Sequence, residues 1–437
     1  MKFLILIIMI MFIKSANSQE KTLTKQEKDL MLKNFGVLLS EKYVFPDIGI
    51  KMKEYLDNSV KSGSYDDVNF VQEFTMKLKQ DLQNICKDKH LQLNFNPENA
   101  KLYSNENPQN SDPELDRQYL EEMKFINYGI EKIERLKGNI GYIDIRLFPD
   151  INIAKDKYIS SMKMLEDTEV LIIDLRKHSG GDPSTVQFLC SYFFEGEPFL
   201  LNSIYNRLED KTRDYFTLND LPGKKLPNVD IYILTSKFTF SGAEEFAYNL
   251  KNLKRATIIG EVTGGGANPV TAFNVDDKFV ALIPTGRAIN PITKTNWEGV
   301  GVEPDIKTTN DKAFDIAYLA ALKSLAKNST ELNKKFPYDW IIESIEAKVE
   351  NYILNETEKS EYSGKYGERI ITIENGNLIY ERPGVGVKTK LIPMKKDLFA
   401  VESVEYFRIR FIRDQDGNII ELMGLYDNGM KDKSKKE

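Results

Sequence analysis

The sequence has few of the residue types that build metal and redox sites. Its 437 residues include two cysteines, Cys86 and Cys190, and two histidines, His90 and His178. There is no HExxH motif, no CxxC pair and no Cys/His cluster, so a zinc site has almost nothing to be built from. We therefore expect no metal and no cofactor. A disulfide framework is excluded as well, and both a single disulfide and two buried free thiols are compatible with the sequence.

The chain also lacks a basic excess and a long internal hydrophobic run. The formal net charge is −6, which argues against nucleic acid or an anionic membrane as the main partner. The apolar run Phe3–Ile13 follows Lys2 and precedes Ala16-Asn17-Ser18, which resembles a signal-peptidase site. Because the run is too short to span a bilayer comfortably, residues 1–18 are predicted to be a signal peptide. We expect an exported protein, periplasmic or extracellular, with no stable membrane anchor.

Hydrophobic periodicity changes along the rest of the chain. Helical patterns come first, then alternating strands and helices that include a predicted helix at Ile151–Leu165, then short strands with tight turns. The turns Asn375-Gly376 and Asp416-Gly417 each predict a β-hairpin. The predicted segments are an N-terminal helical bundle (19–95), a linker (96–117), an α/β core (118–330), a helical connector (331–359), an antiparallel β-domain (360–430) and a disordered charged tail (431–437).

One serine stands where a predicted strand gives way to a predicted helix. Ile231–Leu234 is a short apolar run, and a helical pattern begins at Ser241. Unpaired N–H groups and the positive end of the helix dipole favour developing negative charge at such a place. Ser241 is therefore a candidate nucleophile. The alternative is purely structural, because Ser241 and Glu244 also form an S-x-x-E capping box.

A nucleophilic serine needs a base, a group that orients the base, and donors for the oxyanion. The segment Gly260–Val270 contains no lysine, which leaves His90 and His178 as candidate bases that chemistry alone does not separate. Glu298, in a glycine-rich turn beside a tryptophan, is a candidate orienting carboxylate. The turn Gly180–Gly181 could bring backbone N–H groups close to a substrate carbonyl.

Several short stretches, in their order and spacing, resemble the C-terminal processing (tail-specific) serine peptidase family over roughly residues 25–310. The stretches are Asp88-Lys89-His90-Leu91, Gly138-Asn139-Ile140-Gly141-Tyr142, Asp174-Leu175-Arg176-Lys177-His178-Ser179-Gly180-Gly181, Thr239-Phe240-Ser241-Gly242-Ala243-Glu244, Gly260-Glu261-Val262-Thr263-Gly264-Gly265 and Gly301-Val302-Glu303-Pro304-Asp305. Within the family, the chain resembles the branch of tricorn core protease and the repeats of interphotoreceptor retinoid-binding protein.

This resemblance implies a fold and a set of site residues. The implied α/β core consists of repeated ββα units, like Clp protease and crotonase, with an N-terminal helical bundle; the predicted C-terminal antiparallel β-domain lies outside it. Ser241 would be the nucleophile, His90 the base and Glu298 the carboxylate that orients the base. The oxyanion hole would use the Gly180–Gly181 turn and the N–H of Gly242.

One position departs from the family pattern. His178 stands where the family usually has Asn, and it would either support the turn by hydrogen bonding or touch the reacting groups. The predicted function is an exported serine-type peptidase that cleaves a peptide or protein substrate through an acyl-enzyme. The alternative is a non-catalytic protein that binds hydrophobic ligands on the same scaffold. A homo-oligomer remains open.

Overall fold

A computed structural model describes residues 21–98, 100, 113–328 and 332–437. The predicted signal peptide, residues 1–18, lies outside these residues. The chain forms two compact units: the first holds the described residues up to Arg135 together with Gly141–Asn310, and the second holds Leu136–Ile140 and Asp311–Glu437. Among the helices of the described residues, none has both the length and the apolar composition that crossing a bilayer requires.

The first unit begins with three helices, as the periodicity predicts. Their bounds are α1 Lys25–Lys42, α2 Pro46–Ser62 and α3 Val71–Cys86. Apolar side chains of these helices, among them Phe35 and Phe74, share one buried cluster with Phe279 and Ile283. The latter two belong to a small antiparallel sheet of order β1-β10-β9, formed by β1 Gln92–Phe95, β10 Phe279–Pro284 and β9 Val270–Asn274. This packing fixes the loop between α3 and β1, which carries His90.

A six-stranded sheet of order β12-β8-β7-β4-β3-β2 forms the centre of the first unit. Its strands are β2 Ile130–Leu136, β3 Ile140–Ile145, β4 Val170–Asp174, β7 Asp230–Thr235, β8 Thr257–Gly260 and β12 Ile306–Lys307. The helices in this part of the chain are α4 Pro113–Phe125, α5 Ile151–Leu165, α6 Pro183–Ser191 and α7 Gly242–Asn252. A second small sheet, of order β11-β5-β6, contains β5 Leu200–Asn206, β6 Lys211–Phe216 and β11 Gly286–Ile289.

Strands β4, β7, β8 and β12 run parallel to their neighbours. Carboxyl ends of parallel strands lie at one edge of a sheet, where open α/β folds gather their functional loops. The turn at Gly180–Gly181 follows β4, Ser241 follows β7, and the loop 261–269 follows β8. The parallel register therefore brings together three loops that are distant in sequence.

The described residues of the second unit form three helices and an eight-stranded antiparallel sheet. The helices are α8 Asn310–Asn328, α9 Leu332–Glu350 and α10 Glu356–Tyr362. The strands, paired in chain order, are β13 Gly364–Tyr366, β14 Arg369–Glu374, β15 Asn377–Arg382, β16 Val387–Lys395, β17 Leu398–Val401, β18 Val404–Arg413, β19 Ile419–Tyr426 and β20 Lys431–Lys435.

This sheet closes on itself as an up-and-down barrel. Tyr366 in the first strand forms a bridge with Lys436, just beyond the last strand, and the N–H of Glu437 donates to the carbonyl of Lys365 at 2.9 Å. These contacts join the first and last strands at one end of the sheet. The two predicted hairpins are confirmed, because β14 pairs with β15 around Asn375-Gly376 and β18 pairs with β19 around Asp416-Gly417.

Three segment boundaries differ from the sequence expectation. The predicted disordered tail is wrong for Lys431–Lys435, which pairs with β19 as strand β20 because backbone hydrogen bonding outweighs its charged composition. Helix α4 begins inside the predicted linker 96–117, of which residues 99 and 101–112 lie outside the described residues. The second unit begins at Asp311, not near residue 331. There the Tyr318 hydroxyl donates to the Lys137 carbonyl at 3.1 Å.

Candidate active site

Ser241 occupies a backbone conformation that L-residues avoid. Its φ is 54° and its ψ is −123° at the junction of β7 and α7. Such a conformation costs on the order of 1–3 kcal/mol and persists only where the surroundings enforce it. It is enforced in part by Glu244, whose carboxylate accepts a hydrogen bond of 2.9 Å from the Ser241 N–H. A serine that only capped the helix would not require this strain.

The Glu244 carboxylate also organises the glycine loop after β8. It accepts hydrogen bonds from the Gly265 N–H at 2.6 Å, the Gly266 N–H at 2.8 Å and the Thr263 hydroxyl at 2.5 Å. Burial raises the pKa of Glu244 to about 7, although these hydrogen bonds oppose the rise. The sequence indicated Glu244 as a capping residue only, because its loop partners are distant in sequence.

Gly180 and Gly181 permit the close approach of the β4 turn to the serine. A Cβ atom on Gly180 would lie 2.7 Å from the Cβ of Ser241, and one on Gly181 would lie 1.9 Å from the carbonyl oxygen of Phe148. Both residues also have positive φ, 112° and 137° respectively. Any side chain here would displace backbone, so the turn requires glycine at both positions.

The N–H groups of Gly180 and Gly181 differ in whether they already donate a hydrogen bond. The N–H of Gly180 donates to Nδ1 of His178 at 2.9 Å, so it is already used in this conformation. Gly181 and Gly242 lie against each other: a Cβ on Gly242 would be 3.1 Å from the Gly181 nitrogen. Of the three predicted oxyanion residues, this leaves Gly181 and Gly242 as the candidate donors.

The buried residues His90 and Asp88 and the half-buried Glu298 converge into one cluster. One side-chain nitrogen or carboxylate oxygen of each lies within 4.8 Å of those of the other two. The backbone N–H of His90 donates to Asp88 Oδ1 at 3.0 Å, and His90 Nδ1 lies 3.9 Å from the same oxygen. The His90 ring also packs on Phe240, with ring centroids 4.6 Å apart. The imidazole is thus held beside the residue that precedes Ser241.

Burial determines the charge of the His90 ring. The side chain is 3% exposed, and burial lowers the pKa of His90 to about 4. A buried cation is disfavoured because it loses hydration. The imidazole is therefore neutral at pH 7, as a general base must be.

The two carboxyl groups of the cluster oppose each other's ionisation. Asp88 accepts from the Tyr43 hydroxyl at 3.2 Å and from the Asn268 amide at 2.8 Å, while Glu298 accepts from the Ala267 N–H at 2.6 Å. Burial raises the pKa of Asp88. Burial, together with the charge of Asp88, raises the pKa of Glu298 to about 8. The pair therefore carries fewer than two negative charges at neutral pH.

One open cleft contains the serine, the histidine and all three predicted oxyanion glycines. Ser241, His90, Gly180, Gly181 and Gly242 line it. Much of the remaining wall is apolar, with contributions from Met123, Leu147, Ile204, Val270, Ala288 and Trp297. Glu298 lies next to the cleft, in the cluster with Asp88 and His90. Such a surface suits an extended apolar or amphipathic ligand.

His178 has a different environment from His90. It is 0% exposed, its Nδ1 accepts the Gly180 N–H, and its ring packs on Phe148 with centroids 4.1 Å apart. Burial, reinforced by the charge of Arg146, lowers the pKa of His178 to about 3. A neutral ring that accepts a backbone N–H supports the glycine turn. This arrangement favours the turn-supporting alternative for His178.

Sequence reasoning missed Asp88 as a member of the site. Asp88 belongs to the stretch Asp88-Lys89-His90-Leu91, but a carboxylate two residues before a histidine is common and gives no specific signal. Its burial, 0% exposed, and its proximity to Glu298 come from the fold.

The two cysteines are both free thiols: Cys86 is half-buried and Cys190 is buried.

Comparisons with known proteins identify the family that the chain resembles. The family model for peptidase family S41 matches residues 139–308. The model for the N-terminal domain of peptidase S41 in eukaryotic IRBP matches residues 21–131. A curated relative, carboxyl-terminal-processing peptidase 1, chloroplastic, of Arabidopsis thaliana, is 23% identical over 185 residues, which are 42% of this chain and 36% of the relative. The chain thus spans about a third of the length of that relative.

Two solved structures also show similarity to the chain. A putative peptidase from Parabacteroides merdae matches with 17% identity and a TM-score of 0.47, over 69% of this chain and 97% of that one. The photosystem II D1 C-terminal processing protease matches with 12% identity and a TM-score of 0.42, over 65% and 94% respectively. The two family models together match more than half of the chain, and on that basis the chain belongs to the serine peptidase family S41.

Proposed function

We propose that the chain is a serine peptidase in which Ser241 is the nucleophile and His90 the general base. The observation that carries the proposal is the pairing of a strained serine at a helix N-terminus with a neutral, buried imidazole in the same cleft. Backbone strain at a residue with a chemical role is a recurring feature of functional sites. Membership in family S41 supports the same chemistry.

The reaction follows from the chemistry of these groups. The Ser241 hydroxyl gives its proton to His90 as its oxygen attacks the peptide carbonyl carbon. The N–H groups of Gly181 and Gly242 and the positive end of α7 stabilise the oxyanion. The imidazolium then protonates the leaving amine, and the C–N bond breaks to give an acyl-enzyme. His90 next deprotonates a water molecule, which attacks the ester and releases the carboxylic acid and free Ser241.

The Asp88–Glu298 pair would hold the imidazole. In the reacting complex, an ionised carboxylate of the pair would accept a hydrogen bond from the His90 Nδ1–H, once the 3.9 Å separation between Nδ1 and Asp88 Oδ1 shortens. This bond would direct Nε2 toward Ser241 and stabilise the imidazolium. Glu298 keeps the role that the family resemblance implies, and Asp88 is added to it. Both act through His90 and are therefore positioning residues.

The proposed substrate is a peptide or protein cleaved near its carboxyl terminus. The relative from Arabidopsis thaliana is named as a carboxyl-terminal-processing peptidase, and the apolar cleft wall suits apolar side chains. The signal-like sequence of residues 1–18 supports action outside the cytoplasm. For the core we propose the repeated ββα units of Clp protease and crotonase, supported by the succession of parallel strands and helices around the cleft.

The decisive experiment is labelling with a fluorophosphonate probe, followed by peptide mapping. We expect the label on Ser241, and we expect Ser241→Ala to remove both labelling and peptide hydrolysis, with a fall in kcat of at least about 10⁴-fold. Ser179→Ala is the matched control, because Ser179 lines the same cleft and is outside the proposed machinery. Labelling of another serine, or full activity in Ser241→Ala, would refute the proposal. A non-catalytic ligand-binding protein would leave Ser241 unlabelled.

A further inference from the structure

We infer that Asp88, His90 and Glu298 form a zinc-binding site at which the metal reversibly inhibits the enzyme. The three residues offer one imidazole nitrogen and two carboxylate oxygens, all within 4.8 Å of one another. Zinc takes these ligand types at about 2.0–2.2 Å, and three protein ligands with one open position are a common arrangement. Side-chain movements of about 1 Å would bring the three ligand atoms to bonding distance from a single zinc ion.

The cluster leaves polar atoms unsatisfied where a metal would bind. Within the described part of the chain, both ring nitrogens of His90 and Oε1 of Glu298 are buried without a hydrogen-bond partner. Such groups are rare in folded proteins, because a buried polar atom that has lost its bonds to water and gained no partner is destabilising. The His90 side chain is only 3% exposed, so its ring nitrogens are desolvated, unlike those of a surface histidine. A bound cation would satisfy one ring nitrogen of His90 and Oε1 of Glu298 together.

The electrostatics of the cluster favour a dication. Two carboxyl groups lie next to the imidazole, and the groups that hydrogen-bond to them, from Tyr43, Asn268 and Ala267, are all uncharged. No salt bridge from a lysine or an arginine reaches Asp88 or Glu298 among the described residues. A dication bound between the two carboxyl groups would therefore favour the ionised form of both, with release of the proton that the pair otherwise retains, and would compensate their charge.

The consequence for activity rests on the proposed function. A zinc–nitrogen bond uses the imidazole lone pair that would accept the Ser241 proton, so the metal-bound enzyme would lack its general base. Removal of the metal by a chelator would restore the base. The sequence predicts no zinc site because it has no local zinc motif. The ligands proposed here come from two loops that are distant in the chain.

Binding is tested with zinc alone on the Ser241→Ala chain, in which no turnover interferes. Calorimetric titration should give one saturable site per chain, and cobalt in place of zinc should give the intense visible bands of a four-coordinate ion. Glu298→Gln and Asp88→Asn should each weaken zinc binding by at least about tenfold. Glu303→Gln is the matched control, because Glu303 is an exposed carboxylate of the same loop paired with Lys307, and it should leave the affinity unchanged.

The outcomes separate this site from the proposed function. Stoichiometric binding that Glu298→Gln weakens and Glu303→Gln does not would support the site, even for a chain that cleaves no peptide. Absence of a saturable site in Ser241→Ala, or equal affinity in Glu298→Gln, Asp88→Asn and Glu303→Gln, would overturn it while leaving peptidase activity possible. For the active wild-type chain, we expect zinc to abolish fluorophosphonate labelling and a chelator to restore it. Undiminished labelling at saturating zinc would overturn the inhibition.

Discussion

The cleft of the first unit and the barrel of the second treat buried polar groups in opposite ways. In the barrel, Arg369 is 3% exposed and pairs with Asp432 at 2.7 Å. Arg408, 2% exposed, lies 3.7 Å above the Trp340 ring and donates to Ser344 and Glu343. In the cleft, His90 is equally buried and has neither nitrogen paired among the described residues.

This contrast distinguishes groups that stabilise from groups that react. A paired buried charge contributes to a single packed arrangement, and its loss is destabilising. An unpaired imidazole beside a strained serine costs stability and is retained where it has a chemical role. We therefore expect substitutions in the cleft to change activity at little cost in stability. Substitutions in the barrel should do the reverse.

The largest expected effect is the separation of activity from stability at Ser241. Ser241→Gly should reduce kcat by at least about 10⁴-fold and raise the free energy of unfolding by about 1 kcal/mol, because glycine accepts positive φ without strain. Peptide hydrolysis and chemical denaturation measure the two quantities. Ser403→Gly is the control, since Ser403 also has positive φ, 66°, in an exposed barrel turn. It should stabilise without changing kcat; a loss of stability in Ser241→Gly would contradict the strain argument.

The second effect concerns Arg408 in the barrel. Arg408→Met should lower the free energy of unfolding of the second unit by about 2 kcal/mol, because it removes the buried ion pair with Glu343 and the hydrogen bonds that Arg408 donates to Ser344 and to the Trp340 carbonyl. The kcat of folded enzyme should stay the same. Lys388→Met breaks an exposed pair with Glu374 in the same barrel and should cost less than about 1 kcal/mol. Equal costs for the two variants would show that burial is not the cause.

The third effect is a pH dependence of stability caused by Glu298. Its pKa is about 8 in the folded protein and near 4.5 when exposed. The folded state therefore holds a proton that the unfolded state has lost between these values, and stability falls as pH rises from about 4.5 to 8. Glu298→Gln should remove this fall, so its stability relative to the wild type should increase by on the order of 2 kcal/mol over that range. Parallel stability curves for the two proteins would refute the assignment.

The smallest effect concerns His178. His178→Leu removes the acceptor of the Gly180 N–H, whereas His178→Asn supplies an amide oxygen in its place. We expect the leucine variant to be about 1 kcal/mol less stable than the asparagine variant, and the asparagine variant to keep kcat within the same order of magnitude. Denaturation and peptide hydrolysis test this pair. Abolition of hydrolysis in His178→Asn, with the fold intact, would make His178 the base instead of His90.

Much of the fold could be predicted because local patterns control it. The helix Ile151–Leu165 has the predicted bounds: Asp150 caps its first turn, and Tyr158 and Met162 lie on its buried face. The hairpin at Asn375-Gly376 follows from residues that tolerate positive φ. The strand at Lys431–Lys435 was missed because its pairing with β19 depends on a partner strand and not on its own composition.

The site was predictable only in part for the same reason. Ser241 and the glycine turn have local signatures, whereas the roles of Asp88 and Glu244 depend on contacts with distant residues. The choice between His90 and His178 could not be derived from residue chemistry. Their surroundings differ only after folding: His178 accepts the Gly180 N–H, and His90 faces two carboxyl groups.

By itself, the sequence determined the succession of helices and strands, the hairpin turns, the location of Ser241 at a strand–helix junction and the scarcity of local zinc motifs. These features depend on neighbouring residues and on the periodicity of apolar side chains. The tertiary structure decided which groups lose water and which charges meet. The neutral imidazole of His90, the raised pKa of Glu298 and the closure of the barrel all depend on contacts between residues that are distant in the chain.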